Sequence, residues 1–491
     1  MTTAPETIAA AQELNAQLAP GTVAVSGPAY EATRRIWNAA ARTRPALVVH
    51  AHSREDVRAA VVAARRHGLP FSVRAGGHDI PGRSLRQDGL VTDLTHMRQV
   101  AVDPTARVAT VGGGATAADL VRALAPHGLA AVTGTVGSVG MTGLTLGGGY
   151  GPLTGRYGLA LDNLLGADLV LADGRVVTVD NEHEPELFWA LRGGGGNFGV
   201  VTSMRVRLHT LRGLLAGRIV YPWPHAGTVL ARLAPILAAA PDSLSVHTGL
   251  LTGTDGAPVL VLTVAWNGDP AAGEAHIDRL QRLGTPILTQ MGLTSAEELL
   301  NLNAAQGEVT ERHYTARTRS VAALTPDVIG ALLEGIGSAT SPLSGILLHH
   351  FHGAAARVAV ESTAFGTRRQ HLMAEIVAAW EPSDAHLHQA WADSVADMLA
   401  ANALPGGYPN MLGVRQHAEI ADAYGPHTAR LLAAKARFDP DGNFTATPLP
   451  PSPATEFGPE ANPDVHRNAV SHGSPTHDKT KAASTADGRE S

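Results

Sequence analysis

The chain contains no cysteine, which removes disulfides, thiolate nucleophiles, iron–sulfur clusters and zinc–thiolate sites at once. Aromatic residues are only 4% of it, so a core must be packed largely from Ala, Val and Leu. Basic charge is not in excess either: 38 Lys and Arg face 44 Asp and Glu, a net charge of −6. With nothing left over to neutralise a phosphate backbone, no nucleic-acid partner is expected. Uninterrupted apolar runs of about 18 residues are missing, so no membrane partner is expected. The opening MTTAPETIAAAQELNAQLAP lacks the basic leader and continuous apolar core of a secretory signal, and the expected location is the cytoplasm.

What is present is a long chain, 491 residues with 44% apolar and 17% charged, enough for two or three packed subdomains. Glycine is unevenly used. Gly76-Gly77, Gly112 to Gly114, Gly147 to Gly149 and Gly193 to Gly196 all fall in the first 200 residues. Such clusters let backbone approach a ligand closely, and several in one segment point to loops converging on something flat or phosphorylated. Tight turns alone are the plainer alternative.

Between the clusters the pattern is mixed helix and strand. SREDVRAAVVAARRHG has a Ser cap, early acids and a Gly stop, and FSVRAG follows as a short strand. GLVTDLT and the pair VAVDPTARVATVGGG read as strands, ATAADLVRALAPHG as a second capped helix, and ADLVLADGRVVTVD as a hairpin around Asp173-Gly174. EPELFWALRGGGG reads as a helix with Pro near its start and Gly at its end, and VVTSMRVRLH as the strand after it. From about residue 212 the strands GLLAGRIVYPW, SLSVHTGLL and APVLVLTVAWNG alternate with helices AGTVLARLAPILAAA and AAGEAHIDRLQRL, the texture of an α+β unit with an antiparallel sheet. RVAVESTAF reads as a further strand, ALPGGYPNMLG as a return loop, and TARLLAAKARFDPDGNF as a last helix ending at Asp439-Pro440. From 450 to 491 the composition is that of a disordered tail.

Gly194-Gly195-Gly196-Asn197-Phe198-Gly199 satisfies G-x-G-x-x-G, a motif that holds pyrophosphate after a strand and at a helix N-terminus. Here it follows a helix and precedes a strand, so a Rossmann site is rejected. Arg74-Ala75-Gly76-Gly77-His78 ends a short strand, which puts the His on an exposed loop tip. Such an imidazole serves as a base, a metal ligand, a cofactor attachment point, or simply a turn residue.

The run Gly134-Thr135-Val136-Gly137-Ser138-Val139-Gly140, continuing to Gly147-Gly148-Gly149-Tyr150-Gly151, resembles the flavin-binding region of the berberine bridge enzyme-like oxidases. These belong to the vanillyl-alcohol oxidase and para-cresol methylhydroxylase superfamily. SVRAGGHDIPGRS is similar to that family's FAD-attachment loop, RGGGGNFGVVTSMRVRL to the close of its FAD domain, and LLAAKARFDPDGNF to its C-terminal signature. The motifs occur in the family's order. The resemblance implies an α+β fold: a two-subdomain FAD-binding domain over 27–211, completed by 405–447, and a substrate domain over 212–404 with an antiparallel sheet backed by helices.

It further implies that His78 is bonded through a ring nitrogen to the flavin 8α-methyl. Many members add a cysteinyl bond; Val136 stands at that position, so at most one link is available. Arg74, Ala75, Gly76, Gly77, Asp79, Ser84, Gly134, Val136, Gly137, Ser138, Gly140, Gly143, Gly148, Gly149, Gly199 and Val200 fall in the segments that match cofactor-binding loops. Tyr150 matches an aromatic facing the substrate side. Tyr408-Pro409-Asn410-Met411 is similar to the family's Tyr-x-Asn-Tyr with Met in place of the second Tyr. Tyr408 or Tyr150 is the expected proton acceptor, with Asn410 orienting it and both Tyr408 and Asn410 touching the flavin. The implied activity is oxidation of an alcohol, sugar or amine by hydride transfer, with O2 as the expected acceptor and a dehydrogenase using another acceptor as the alternative.

Two other classes compete. The 23 histidines, among them His349-His350-Phe351-His352 in an expected strand and His386-Leu387-His388 at similar spacing, admit a metal-dependent hydrolase. No H-E-x-x-H pattern accompanies them, and no metal is expected. A non-catalytic FAD-fold binding protein is the other; His78 and Tyr150 argue against it by analogy.

Overall fold

The computed structural model describes residues 4–211, 213–302 and 311–451. The expected tail lies outside the described residues beyond Pro451. Three sheets and a two-stranded ribbon carry the chain. In the first sheet the strands run Val23–Ala24, Leu47–His50, Leu90–Asp93, Phe71–Arg74, and the last three are parallel. Leu47–His50 and Leu90–Asp93 are buried throughout, as parallel strands covered on both faces must be. The helix Arg54–Arg66 packs on them through Val57, Ala60 and Val61, and it starts at a capping box in which Ser53 and Asp56 satisfy each other's backbone N–H. A helix not anticipated from the sequence, Pro5–Gln17, joins this core through Ala10 and Leu14.

The second sheet orders Val100–Asp103, Val108–Gly112, Val200–Arg207, Leu164–Val170 and Val176–Val179, all antiparallel. The helix Ala117–Leu124 has its own capping box, Thr116 with Asp119. The helix Pro185–Gly194 kinks at Arg192 and Gly193, where Gly193 adopts φ +126°. The fold is α+β.

The third sheet has eight antiparallel strands: Leu288–Leu293, Leu215–Pro222, Pro258–Trp266, Leu244–Thr252, Gly345–Phe351, His371–Trp380, His313–Val321 and Ala403–Leu404. Side-chain alternation along its strands positions the site. In Gly345–Phe351, Ile346 and Leu348 enter a core built with the helices Ala226–Ala238, Pro326–Gly337 and Ala385–Ala400, while Leu347 and His349 face a cavity. In His371–Trp380, Leu372, Ala374, Ile376 and Ala378 enter that core, and Met373, Glu375, Val377 and Ala379 face the cavity.

One sequence reading is corrected. RVAVESTAF is not a strand: it is the end of a short helix, Ala354–Arg357, and a 3-10 turn, Val360–Ser362. Arg357 pairs with Asp242 and the Glu361 carbonyl accepts from Trp189, so the segment is held by side chains rather than by a strand ladder. His386-Leu387-His388 lies in the helix Ala385–Ala400 and not in a strand, with Asp384 accepting from the His386 N–H at its start. His386 is exposed and His388 buried, so the two do not share a face.

Asp162 and Arg368 form a buried, two-pronged ion pair at 2.8 and 2.9 Å that ties the turn after the Gly147–Gly149 cluster to the segment behind the third sheet. Arg368→Met leaves the carboxylate buried with, among the described residues, only the Leu159 N–H donating to it, and it is expected to lower unfolding free energy by roughly 3–5 kcal/mol in urea denaturation; a loss under about 1 kcal/mol would contradict this assignment.

Candidate active site

A cavity of about 500 Å³ lies between the glycine loops of the first two sheets and one face of the third. Its floor depends on a close approach of backbone to backbone. A Cβ on Gly140 would stand 2.5 Å from the Gly76 nitrogen, and one on Gly76 would meet the Gly140 backbone more closely still. No side chain fits at either position, so the two loops pass each other only because both residues are glycine. The Ser72 and Ser84 hydroxyls border the cavity, buried and without a hydrogen-bond partner among the described residues. Buried polar atoms left this way are costly, which fits a polar ligand seated against them.

Ala75, Gly76, Gly77, His78, Asp79, Ser84, Gly134, Val136, Gly140, Gly143, Gly199, Val200, Tyr150, Tyr408 and Asn410 all border this one cavity. Residues more than 300 positions apart in sequence are therefore brought together. Five of the anticipated residues stand back from its wall. Arg74 pairs with Asp93 at 3.0 Å, across the parallel register that sets the two side by side. Burial pushes the Asp93 carboxyl up, but Arg74 and the hydrogen bonds from Thr33 and Thr95 outweigh it and hold the group below its usual range. Gly137 gives its carbonyl to the Ala118 N–H. Ser138 supports His78 from behind. Gly148, at φ +145°, lies against the Tyr408 ring, and the Gly149 N–H donates to the Tyr408 hydroxyl at 3.1 Å.

His78 is not on an exposed tip as its loop sequence implied. It is half-buried, with Nε2 2.8 Å from the Ser138 hydroxyl and its ring stacked on Trp37 at 5.5 Å. Burial lowers its pKa to about 4, so the imidazole is neutral at neutral pH and one ring nitrogen keeps a lone pair. The Asp79 carboxylate is occupied by Arg83 at 2.6 Å, and Arg83 also donates to the Asn410 carbonyl at 2.8 Å, which braces the His78 loop against the return loop.

The two tyrosines are arranged differently. His371 Nδ1 is 2.8 Å from the Arg369 carbonyl, which can only accept, so Nε2 carries the lone pair and the Tyr150 hydroxyl donates to it at 3.1 Å. Burial raises the Tyr150 pKa and lowers that of His371 to about 4, so that proton stays on the tyrosine. Tyr408 stands edge-to-face with Tyr150 at 5.1 Å. Its oxygen accepts from the Gly149 N–H and from Asn410 Nδ2 at 3.2 Å. Burial raises its pKa too, and those two donors only partly oppose that.

Sequence reasoning missed the opposite wall. Glu375, buried, receives His349 Nε2 at 2.9 Å on one oxygen, and the other takes no hydrogen bond from a described residue. Around the pair the sheet face is apolar, with Leu347, Val377, Ala379 and Met373. A lone Glu inside the apolar run HLMAEIVAAW was the available signal. His350 and His352 stack on each other at 3.8 Å, and among the described residues no three His, Asp or Glu are grouped to hold a metal ion.

Comparison with known proteins follows the same lines. Residues 45–180 match the FAD binding domain family. The FAD-linked oxidoreductase aurO of Gibberella zeae is 34% identical over 426 residues, 85% of this chain and 83% of that protein. The crystal structure of 6-hydroxy-D-nicotine oxidase from Arthrobacter nicotinovorans superimposes with a TM-score of 0.79 at 30% identity, covering 88% of this chain and 97% of that one. The BBE-like 1 protein of Physcomitrella patens shares the fold at a TM-score of 0.82 and 23% identity, covering 90% of this chain and all of its own.

The buried imidazoles make acid lability a consequence of the fold. His209 and His371 are lowered to about 4 and His247 to about 3, each chiefly by burial, from an ordinary 6.5. In that interval the unfolded chain binds more protons than the folded one. Stability that is complete above pH 6.5 is therefore lost as pH falls toward 4. Denaturation midpoints measured from about pH 7 down to about 4 should fall steadily; midpoints flat across that range would contradict the buried, neutral state of these rings.

Proposed function

The chain belongs to the FAD-linked oxidoreductases of the berberine bridge enzyme-like type, and from that premise we propose that it is an oxidase of a compact, largely apolar alcohol or amine, with FAD tethered to His78 and O2 as acceptor. In this reading residues 27–211 with 405–447 hold FAD and 212–404 supply the substrate wall. The observation that carries the substrate side is the sheet face on which Glu375 and His349 are hydrogen-bonded to each other among Leu347, Val377, Ala379 and Met373, with Tyr314 and Arg312 also bordering the cavity. A sugar chain would press several hydroxyls against that face without partners, at a cost of about 1–3 kcal/mol each. An alcohol or amine with one polar group needs only the pair.

The residues present fit FAD: glycine backbone where a Cβ cannot stand, two orphan serine hydroxyls, and a neutral imidazole at one edge. Bound there, FAD supplies the two-electron acceptor. Gly76, Gly77, Gly140 and Gly199 present backbone to it, and the Ser72 and Ser84 hydroxyls are available to its polar atoms. Glu375 is placed to take the proton of the substrate O–H or N–H on its open oxygen, while His349 donates to the other and holds the carboxylate in place. Tyr150 is committed to His371, which leaves it a wall of the pocket. Tyr408, fixed by Gly149 and Asn410, orients the substrate against Glu375.

Anaerobic flavin reduction followed by stopped flow tests these roles. Glu375→Gln should slow it by about 10²–10⁴-fold and Tyr408→Phe by less; an unchanged rate constant in Glu375→Gln would remove the carboxylate from the chemistry. The tether has its own readout. His78→Ala should bind FAD that stays in solution after acid precipitation, and yellow precipitate from that variant would show that the link lies elsewhere.

A further inference from the structure

The loop between the helix Pro28–Arg34 and the strand Leu47–His50 also reaches His78, and nothing in the sequence motifs draws attention to it. The Trp37 N–H donates to the Gly77 carbonyl at 2.9 Å. Its ring stacks on His78 at 5.5 Å with planes 22° apart, and on Tyr314 of the third sheet at 3.8 Å and 20°. Asn38, buried, uses its side-chain amide as a splint. Nδ2 donates to the Ile80 carbonyl at 2.7 Å and to the Tyr314 carbonyl at 3.0 Å, and Oδ1 accepts from the Tyr314 N–H at 2.9 Å. The flavin loop and the substrate sheet are thereby joined through two adjacent residues, both bonded to the segment that bears His78.

We propose that Trp37, splinted by Asn38 and assisted by Ser138, is the positioning residue that holds the His78 ring in the attitude needed for attachment to the flavin, with Nδ1 as the bonding nitrogen. This rests on the reading that His78 carries the tether. A histidine preceded by two glycines has no neighbouring bulk of its own to fix its ring, and a bond-forming nitrogen off its line of approach loses rate steeply. Here one ring face is covered by the indole and Nε2 is engaged by the Ser138 hydroxyl. Nδ1 forms no hydrogen bond with any described residue, and the ring borders the cavity. Attachment exchanges a C–H bond of the 8α-methyl and the imidazole N–H for one C–N bond. The two hydrogens released and their electron pair pass through the isoalloxazine to dioxygen, giving hydrogen peroxide. Ser138, on Nε2, is placed to receive the imidazole proton as the bond at Nδ1 forms. The indole takes no part in the bond; it sets the angle.

The test uses the full chain made under riboflavin limitation and then supplied with FAD, with total bound flavin and acid-precipitable flavin followed separately over time. Trp37→Leu should bind FAD as the unaltered protein does but form acid-stable flavin about tenfold more slowly or worse, and Trp37→Phe should recover most of that rate. Ser138→Ala, which leaves the indole contact in place, should also slow the acid-stable fraction without lowering the total. Peptide mapping should find the flavin on the His78 peptide, with NMR of that peptide placing it on Nδ1. Acid-stable flavin forming at the unaltered rate in Trp37→Leu overturns the inference alone. Its absence from the unaltered protein overturns the tether reading and this inference with it.

Discussion

The site depends on two lengths of backbone passing at a distance that forbids a side chain. Gly76 ends the loop after a parallel strand of the first sheet, and Gly140 precedes a helix that belongs with the second. Their contact sets the floor of the cavity and, through Ser138 two residues earlier, the position of the imidazole. Because the approach is backbone on backbone, it offers a flat ligand peptide groups rather than side chains. That is how a cavity bordered mostly by apolar atoms can still hold a large polar cofactor.

The opposite wall is built on another principle. Strict alternation along the third sheet sends every second residue into a helix-backed core and leaves the rest to face the cavity. On Gly345–Phe351 and His371–Trp380 this leaves one buried hydrogen-bonded couple, Glu375 with His349, among Leu347, Met373, Val377 and Ala379. The glycine-loop wall is thus made by residues that leave no room for side chains, and the sheet wall by packed side chains. Tyr150 and Tyr408 stand where the two meet, each immobilised by a hydrogen bond from a different part of the chain.

That residues around His78 and the glycine clusters border one cavity was legible because those signals are local. A capping box spans four residues, a glycine cluster two to four, and the motifs around His78 and Ser138 lie in continuous stretches. The α+β class followed from the same patterns. What could not be read depends on pairing between distant segments. Arg74 looks like a loop cation until the parallel register sets it beside Asp93. RVAVESTAF has the alternation of a strand, yet Trp189 and Asp242 hold it in turns, while HLMAEIVAAW, equally apolar, becomes the strand between two partners distant in sequence. Glu375 stood out only as a lone acid in an apolar run, and its partner became evident when register brought it beside His349. His386 and His388 share a spacing with a strand pair but lie on a helix, where positions two apart diverge.

The most direct test of the central claim is the visible spectrum and flavin stoichiometry of the purified protein beside its Gly76→Val variant, with circular dichroism to follow the fold. Flavin bands in stoichiometric amount in the first, and their loss in the second with secondary structure retained, are what the glycine contact predicts. A colourless protein, or a Gly76→Val variant with its full complement of flavin, would contradict it.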